Sequence, residues 1–161
     1  MSSRIWSKLN RLQLGRYAEY FAKMEFTSYG LEVFTSEVDD RGIDFVVRDK
    51  KGAFIEIQVK SNRSTGYIYA LKKTAEGFPA FNADNLNLYM AVIVFREEED
   101  PDLFLIPASA WKEPDALLRD RNYDKPGQKS APEYGLNLSN KNMPLLKKYY
   151  FEKAVEKMLE C

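Results

Sequence analysis

Eight consecutive residues, LYMAVIVF from Leu88 to Phe95, offer no charge and no polar alternation. The run falls far short of the roughly 20 apolar residues that cross a bilayer. As a strand it sends apolar side chains to both faces of its sheet. Such a strand needs cover on both sides, as the interior strands of layered α/β proteins have. The stretch therefore predicts a central strand in a sheet with a packed layer on each face. A chain of 161 residues is long enough for one domain built around such a core.

The remaining elements fall around that strand. Leu14, Ala18, Phe21 and Ala22 recur at helical spacing, which predicts a helix from about Lys8 to Phe26. YGLEVFTSEV and GIDFVVRD read as strands, and DKKG as the turn into a third, AFIEIQVKS. YIYALKK reads as a short strand and LFLIPASAW as a strand ending at Pro107. The polar segment of about 121–142 reads as a long loop. About 144–160 reads as an amphipathic helix with Pro144 in its first turn, its stripe of Leu145, Leu146, Tyr149, Val155, Met158 and Leu159 packed on the sheet. The expected architecture is α/β (α+β), a single domain over 1–161 in which helices flank one central mixed β-sheet.

The third strand is where chemistry enters. In FIEIQVKS, Ile55, Ile57 and Val59 point to one face, while Glu56, Gln58 and Lys60 line the other. If the DKKG turn pairs the second and third strands, Asp44 joins that polar face. A carboxylate, an amide oxygen and an ammonium converging there suit a hard cation. Mg²⁺ takes oxygen ligands, usually one or two carboxylates completed by water and substrate phosphates. Such a cation lowers the pKa of bound water and stabilises charge on a phosphoryl centre, and a lysine beside it neutralises charge or orients water. Those parts make a phosphodiester hydrolase. The same row also reads as the wet face of an amphipathic sheet, with Asp44 the ion-pair partner of Arg41 or Arg48.

Other chemistries are excluded by what is missing. There is no histidine, and the one cysteine is the final residue, Cys161. Serine and cysteine triads that need histidine, histidine-metal centres, thiolate clusters and internal disulfides are removed together. The N-terminal stretch has no continuous apolar core of a signal peptide, so a cytoplasmic setting without a membrane is expected.

GIDF followed by FIEIQVKS resembles the core of the PD-(D/E)XK nuclease superfamily, which includes restriction endonucleases and Holliday-junction resolvases. That core has an Asp on its second strand and a (D/E)-x-K tripeptide on its third. An upstream helix often bears Gly-x-x-x-Glu, matched here by GRYAE, Gly15 to Glu19. The resemblance spans about Leu12 to Trp111 and implies a restriction-endonuclease-like fold acting on DNA with Mg²⁺, or Mn²⁺ in its place. It implies that Glu19 and Asp44 bind the metal and that Lys60 is the catalytic lysine. Gln58 stands where most members carry an acid. Q-x-K branches exist, among them an intron homing endonuclease and an uncharacterised bacterial group that this chain resembles beyond the core, through YMAVIVF and LFLIPASAW. Glu56, one strand repeat or roughly 6.5–7 Å from Gln58, is a candidate for the missing ligand charge or a solvated strand residue.

Contacts to a polyanion must come from a local patch, because 24 Lys and Arg balance 24 Asp and Glu. Arg4, Lys8, Arg11, Arg16 and Lys23 concentrate near the N-terminus, and Lys50, Lys51, Lys60, Arg63, Lys72 and Lys73 around the motif strand. Arg16, Ser61, Asn62, Arg63 and Ser64 are candidate phosphate contacts, or plain surface and turn residues. Glu19 and Lys23 also read as an exposed i,i+4 ion pair. The function expected is a Mg²⁺-dependent endonuclease acting on DNA rather than RNA, its specificity supplied by loops, a homodimer or a partner protein. The alternative is a catalytically inactive nucleic-acid-binding or protein-interaction module on the same fold.

Overall fold

A computed structural model describes residues 3–38, 42–63 and 65–160. Arg41, Ser64 and Cys161, named above, lie outside them. Helix α1 runs from Arg11 to Ser28. It begins later than the apolar spacing suggests because Asn10 closes it: the Asn10 side chain accepts from the Gln13 N–H at 2.9 Å, and the Gln13 side chain accepts from the Asn10 N–H at 2.9 Å. This reciprocal box satisfies two otherwise unpaired backbone donors. Leu14, Ala18, Ala22 and Phe26 form the buried stripe that meets the sheet.

The main sheet has five strands: β1 (Glu32–Thr35), β2 (Phe45–Arg48), β3 (Phe54–Arg63), β5 (Leu88–Phe95) and β6 (Asp102–Pro107). They lie side by side as β1-β2-β3-β5-β6, with β3 and β5 parallel and every other pair antiparallel. The apolar run is therefore an interior strand, and all of it but Tyr89 is buried. On one face Ile55, Ile57, Ala91, Ile93 and Phe95 pack under α1 and helix α3 (Phe151–Leu159). On the other, Met90, Val92 and Val94 pack under helix α2 (Met143–Leu146) and a second sheet. The expected mixed sheet flanked by helices is thus present.

The second sheet is the addition. It orders β4 (Gly66–Leu71), β8 (Glu133–Leu138) and β7 (Leu118–Arg121). β8 lies inside the segment expected to be loop. EYGLNL lacks β-branched residues and carries a glycine, so local preference argues against a strand there. Tertiary contact decides instead: a Cβ on Gly135 would stand 1.7 Å from the Tyr67 hydroxyl, so only glycine leaves room for that ring.

The expected C-terminal helix is broken at Tyr150, whose backbone is extended at φ −50 and ψ 134. The break divides the apolar stripe between the two faces. Leu146 enters the core under the second sheet, while Val155 and Met158 pack beside α1. The second sheet does not cover the β1–β2 corner, where Phe34 and Phe54 stay 44% and 54% exposed. The polar row of β3 lies along this boundary.

Candidate active site

The β2–β3 register pairs Phe45 with Ile57 and Val46 with Glu56. That register ends at Phe45 and Ile57, so Gln58 follows it along β3 while Asp44 stands outside β2. Two hydrogen bonds fix Asp44 just ahead of β2. Its N–H donates to the Ile57 carbonyl at 2.9 Å, and its Oδ2 accepts from the Val59 N–H at 2.6 Å. Gly42, at φ 76, lets the Gln58 amide approach the loop before β2; a Cβ there would be 3.2 Å from Gln58 Nε2.

Glu19 arrives from α1. Its Oε1 accepts from Lys23 Nζ at 2.9 Å and its Oε2 from Arg16 Nη1 at 3.3 Å. Glu19 and Asp44 line one cavity of about 280 Å³, together with Arg16 and Ser61. Gln58 and Lys60 line an adjoining groove of about 760 Å³ that extends to β4 and the segment after it. The two share Arg11, Gly15, Val59 and Ser61. Six of the candidate residues (Arg16, Glu19, Asp44, Gln58, Lys60 and Ser61) thus line these two adjoining cavities.

Three candidates lie elsewhere. Glu56 accepts from the Asn85 side-chain amide at 2.7 Å and lines neither cavity. The Asn62 amide lies at the β3–β4 corner, 2.8 Å from where a Cβ on Gly66 would be. Arg63 donates to the Trp6 carbonyl at 3.1 Å and to the Leu9 carbonyl, holding the N-terminal segment against the end of β3. Other basic residues are also used internally. Lys72 pairs with Asp120 and sits 4.2 Å over the Tyr134 ring, and Lys50 donates to the Gly30 carbonyl. The acidic turn is tied to the N-terminal segment, where Asp100 accepts from Arg4 and Glu97 from the Ser7 N–H.

Several groove residues carried only a divided signal in the sequence. Arg11 and Lys73 belong to the basic clusters named above, and Tyr67 and Tyr69 read either as base-stacking rings or as core aromatics. Tyr67 is braced from behind. Its hydroxyl donates to Glu133 at 2.9 Å, the Tyr123 hydroxyl donates to the same carboxylate at 2.8 Å, and Arg121 lies 4.3 Å over its ring. Burial, and then the Glu133 carboxylate, push the Tyr67 phenol well above its usual range.

Among the described residues no cluster of three or more His, Cys, Asp or Glu side chains forms a cage for a metal. The candidate oxygen donors are the Glu19 and Asp44 carboxylates in one cavity and the Gln58 amide in the adjoining groove. They fit Mg²⁺, which keeps much of its water and takes one or two carboxylates plus substrate phosphates, better than they fit a cation needing a complete protein shell. Among the described residues no helix is long and apolar enough to cross a membrane.

No protein-family model and no curated protein sequence matches the chain. Among solved structures it is similar to Hjc, a Holliday junction resolvase from the archaeal hyperthermophile Archaeoglobus fulgidus. That match has 12% identity and a TM-score of 0.52, covering 91% of this chain and 98% of that one. The bacterial homing endonuclease I-Ssp6803I aligns at 19% identity and a TM-score of 0.49, over 89% of this chain and 90% of that one. At such identities the likeness concerns the fold, and the fold is the restriction-endonuclease-like one expected from the motif.

Proposed function

We propose that the protein is a Mg²⁺-dependent endonuclease of the PD-(D/E)XK type, with Gln58 in the acidic position, hydrolysing phosphodiester bonds in DNA. The observation that carries this reading is that Asp44 and Glu19, far apart in sequence and on different elements, line one cavity beside Gln58 and Lys60. The fold it shares with a Holliday junction resolvase supports it. Asp44 and Glu19 would hold Mg²⁺ or Mn²⁺, with the Gln58 amide oxygen as a neutral ligand. When bound, the metal supplies a nucleophilic water at neutral pH and charge stabilisation at phosphorus.

The chain's own residues do the rest. Lys60 orients the attacking water and neutralises charge building on the phosphoryl oxygens. As the water oxygen bonds to phosphorus, the P–O bond to one sugar breaks, leaving a phosphomonoester and a free hydroxyl. Arg16 and Ser61, lining the same cavity, contact neighbouring phosphates. Arg16 also pairs with Glu19, so it holds that carboxylate in place before substrate arrives. Specificity comes from loops, a homodimer or a partner protein, in a cytoplasmic setting.

The test is cleavage of supercoiled plasmid and of a four-way DNA junction with Mg²⁺ or Mn²⁺, against EDTA, for wild type and Lys60→Met. Cutting should require metal and fall by about 100-fold or more in the variant. A wild type inert on every substrate with either metal, or a variant as active as wild type, refutes the reading. A second reading is favoured by the two cations already engaging Glu19 and by the neutral Gln58. On it, the same surface binds nucleic acid or a protein without chemistry, and salt-sensitive DNA binding without cleavage identifies that case.

A further inference from the structure

Gly15 lies inside α1, where a glycine weakens a helix relative to alanine. Neither usual justification holds. Its φ is not in the left-handed region, and a Cβ built on it would meet nothing within 4 Å. The open space above it belongs to both cavities, which Gly15 and Arg11 line together. A glycine without an internal partner, facing a depression beside two carboxylates, marks where another molecule's backbone comes close.

The far wall of the groove indicates what that molecule is. Tyr69 lines it with its side chain 50% exposed, next to the braced Tyr67. Arg11 on α1 and Lys73 after β4 line the same groove. An exposed ring flanked by cations suits a base whose face is free and whose phosphates pass nearby. In a continuous duplex those base faces are covered by neighbouring pairs.

We propose that the groove between β3, β4 and α1 is a track for an unpaired DNA strand. A base stacks on Tyr69, and the sugar–phosphate backbone crosses over Gly15 toward Asp44 and Glu19. This inference rests on the nuclease reading for its choice of DNA, and it narrows the substrate to single strands or the unpaired arms of branched DNA.

The experiment is fluorescence anisotropy in EDTA, where no cleavage occurs, with labelled oligo-dT and a blunt duplex of equal length. The proteins are wild type, Tyr69→Ala, Gly15→Ala and Gly15→Leu. Wild type should bind the single strand more tightly than the duplex. Tyr69→Ala should weaken single-strand binding about tenfold while leaving duplex binding unchanged. Gly15→Ala should raise the Tm by about 2–4 °C and still weaken single-strand binding. Gly15→Leu should abolish it while the helix stays intact by circular dichroism. Loss of binding in a more stable protein is something misfolding cannot produce. Equal or tighter duplex binding, or variants that bind single strands like wild type, overturn the track and leave the nuclease reading standing. Preference for oligo-U over oligo-dT overturns DNA as its occupant, and binding to none of these probes overturns the track, while metal-dependent cleavage decides the nuclease reading separately.

Discussion

Asp44 has a structural duty that separates from its proposed chemical one. Its Oδ2 accepts the Val59 N–H at 2.6 Å, two residues beyond Ile57, where β2 stops pairing with β3. Alanine at 44 leaves that half-buried N–H without the carboxylate. A hydrogen bond to a charged group contributes about 1.5–3 kcal/mol. With about 2 kcal/mol lost, the Tm of a chain this long falls by roughly 4–8 °C. Asparagine keeps an acceptor oxygen in the same place, so its cost should stay within about 1 kcal/mol. Both variants remove the negative charge that Asp44 would bring to the metal. Losing a group one step removed from a metal already costs about 10–100-fold, so loss of a direct ligand should exceed about 100-fold in cleavage for both. The assay pairs thermal melts by circular dichroism with metal-dependent plasmid cleavage on the same preparations. Asp44→Asn should melt near wild type and be inactive, whereas Asp44→Ala should be inactive and less stable. An asparagine variant cutting at the wild-type rate refutes the ligand role, and an alanine variant melting with wild type refutes the anchor.

Gly135→Ala would drive a methyl into the Tyr67 ring. Displacing that ring loses its bond to Glu133, so about 2 kcal/mol of stability and roughly 4–8 °C in Tm should go, and unchanged urea and thermal midpoints would contradict this. The raised Tyr67 phenol makes a pH prediction with a definite sign. A folded-state value above the unfolded one, near 10, contributes stability fully present below pH of about 10 and lost as pH rises beyond it. Urea midpoints of Tyr67→Phe should therefore fall less steeply than wild type above that pH, and parallel curves would exclude the effect. Gln58→Glu should tighten Mg²⁺ binding by calorimetry and weaken DNA binding in EDTA; movement of both affinities in one direction would refute the role given to the amide.

Much of this was legible in the sequence because it rests on periodicity. The unbroken LYMAVIVF run specifies an interior strand, and alternation in FIEIQVKS assigns Gln58 and Lys60 to one face whatever the rest of the chain does. Asp44 was visible through the turn expected to pair its strand with that one, and Glu19 only through the resemblance to the PD-(D/E)XK core. The second sheet was not legible. β8 is held by a ring over Gly135, a contact between residues 67 and 135 that no local pattern encodes. Glu56 was equally opaque: alternation puts it in the polar row, but its bond to Asn85 depends on the loop before β5. The break at Tyr150 came with no proline or glycine to announce it, and Tyr150 stacks on Phe104 with ring centroids 5.0 Å apart.

Charge explains why an amide rather than an acid suits position 58 on the nuclease reading. Among the described residues, Arg11, Arg16, Lys60 and Lys73 line the joined cavities against Glu19, Asp44 and Glu76. The excess is a single positive charge in a chain whose formal net charge is zero. A glutamate at 58 would erase it. Unit charges about 4 Å apart interact by about 1 kcal/mol in bulk water and about 4 kcal/mol near a protein surface, so one such charge beside a phosphate changes substrate affinity appreciably. In a protein with a large basic surface that loss is absorbed elsewhere. Here Lys50, Lys72 and Arg63 are held by internal partners, and the acidic turn is tied to the N-terminal segment rather than opposing a basic face. The amide gives up ligand strength in the one place where the remaining field must still draw in a polyanion. It follows that metal and DNA should assemble together: the substrate's phosphates supply the negative oxygen ligands that Gln58 does not, and each partner raises the affinity for the other by the same factor.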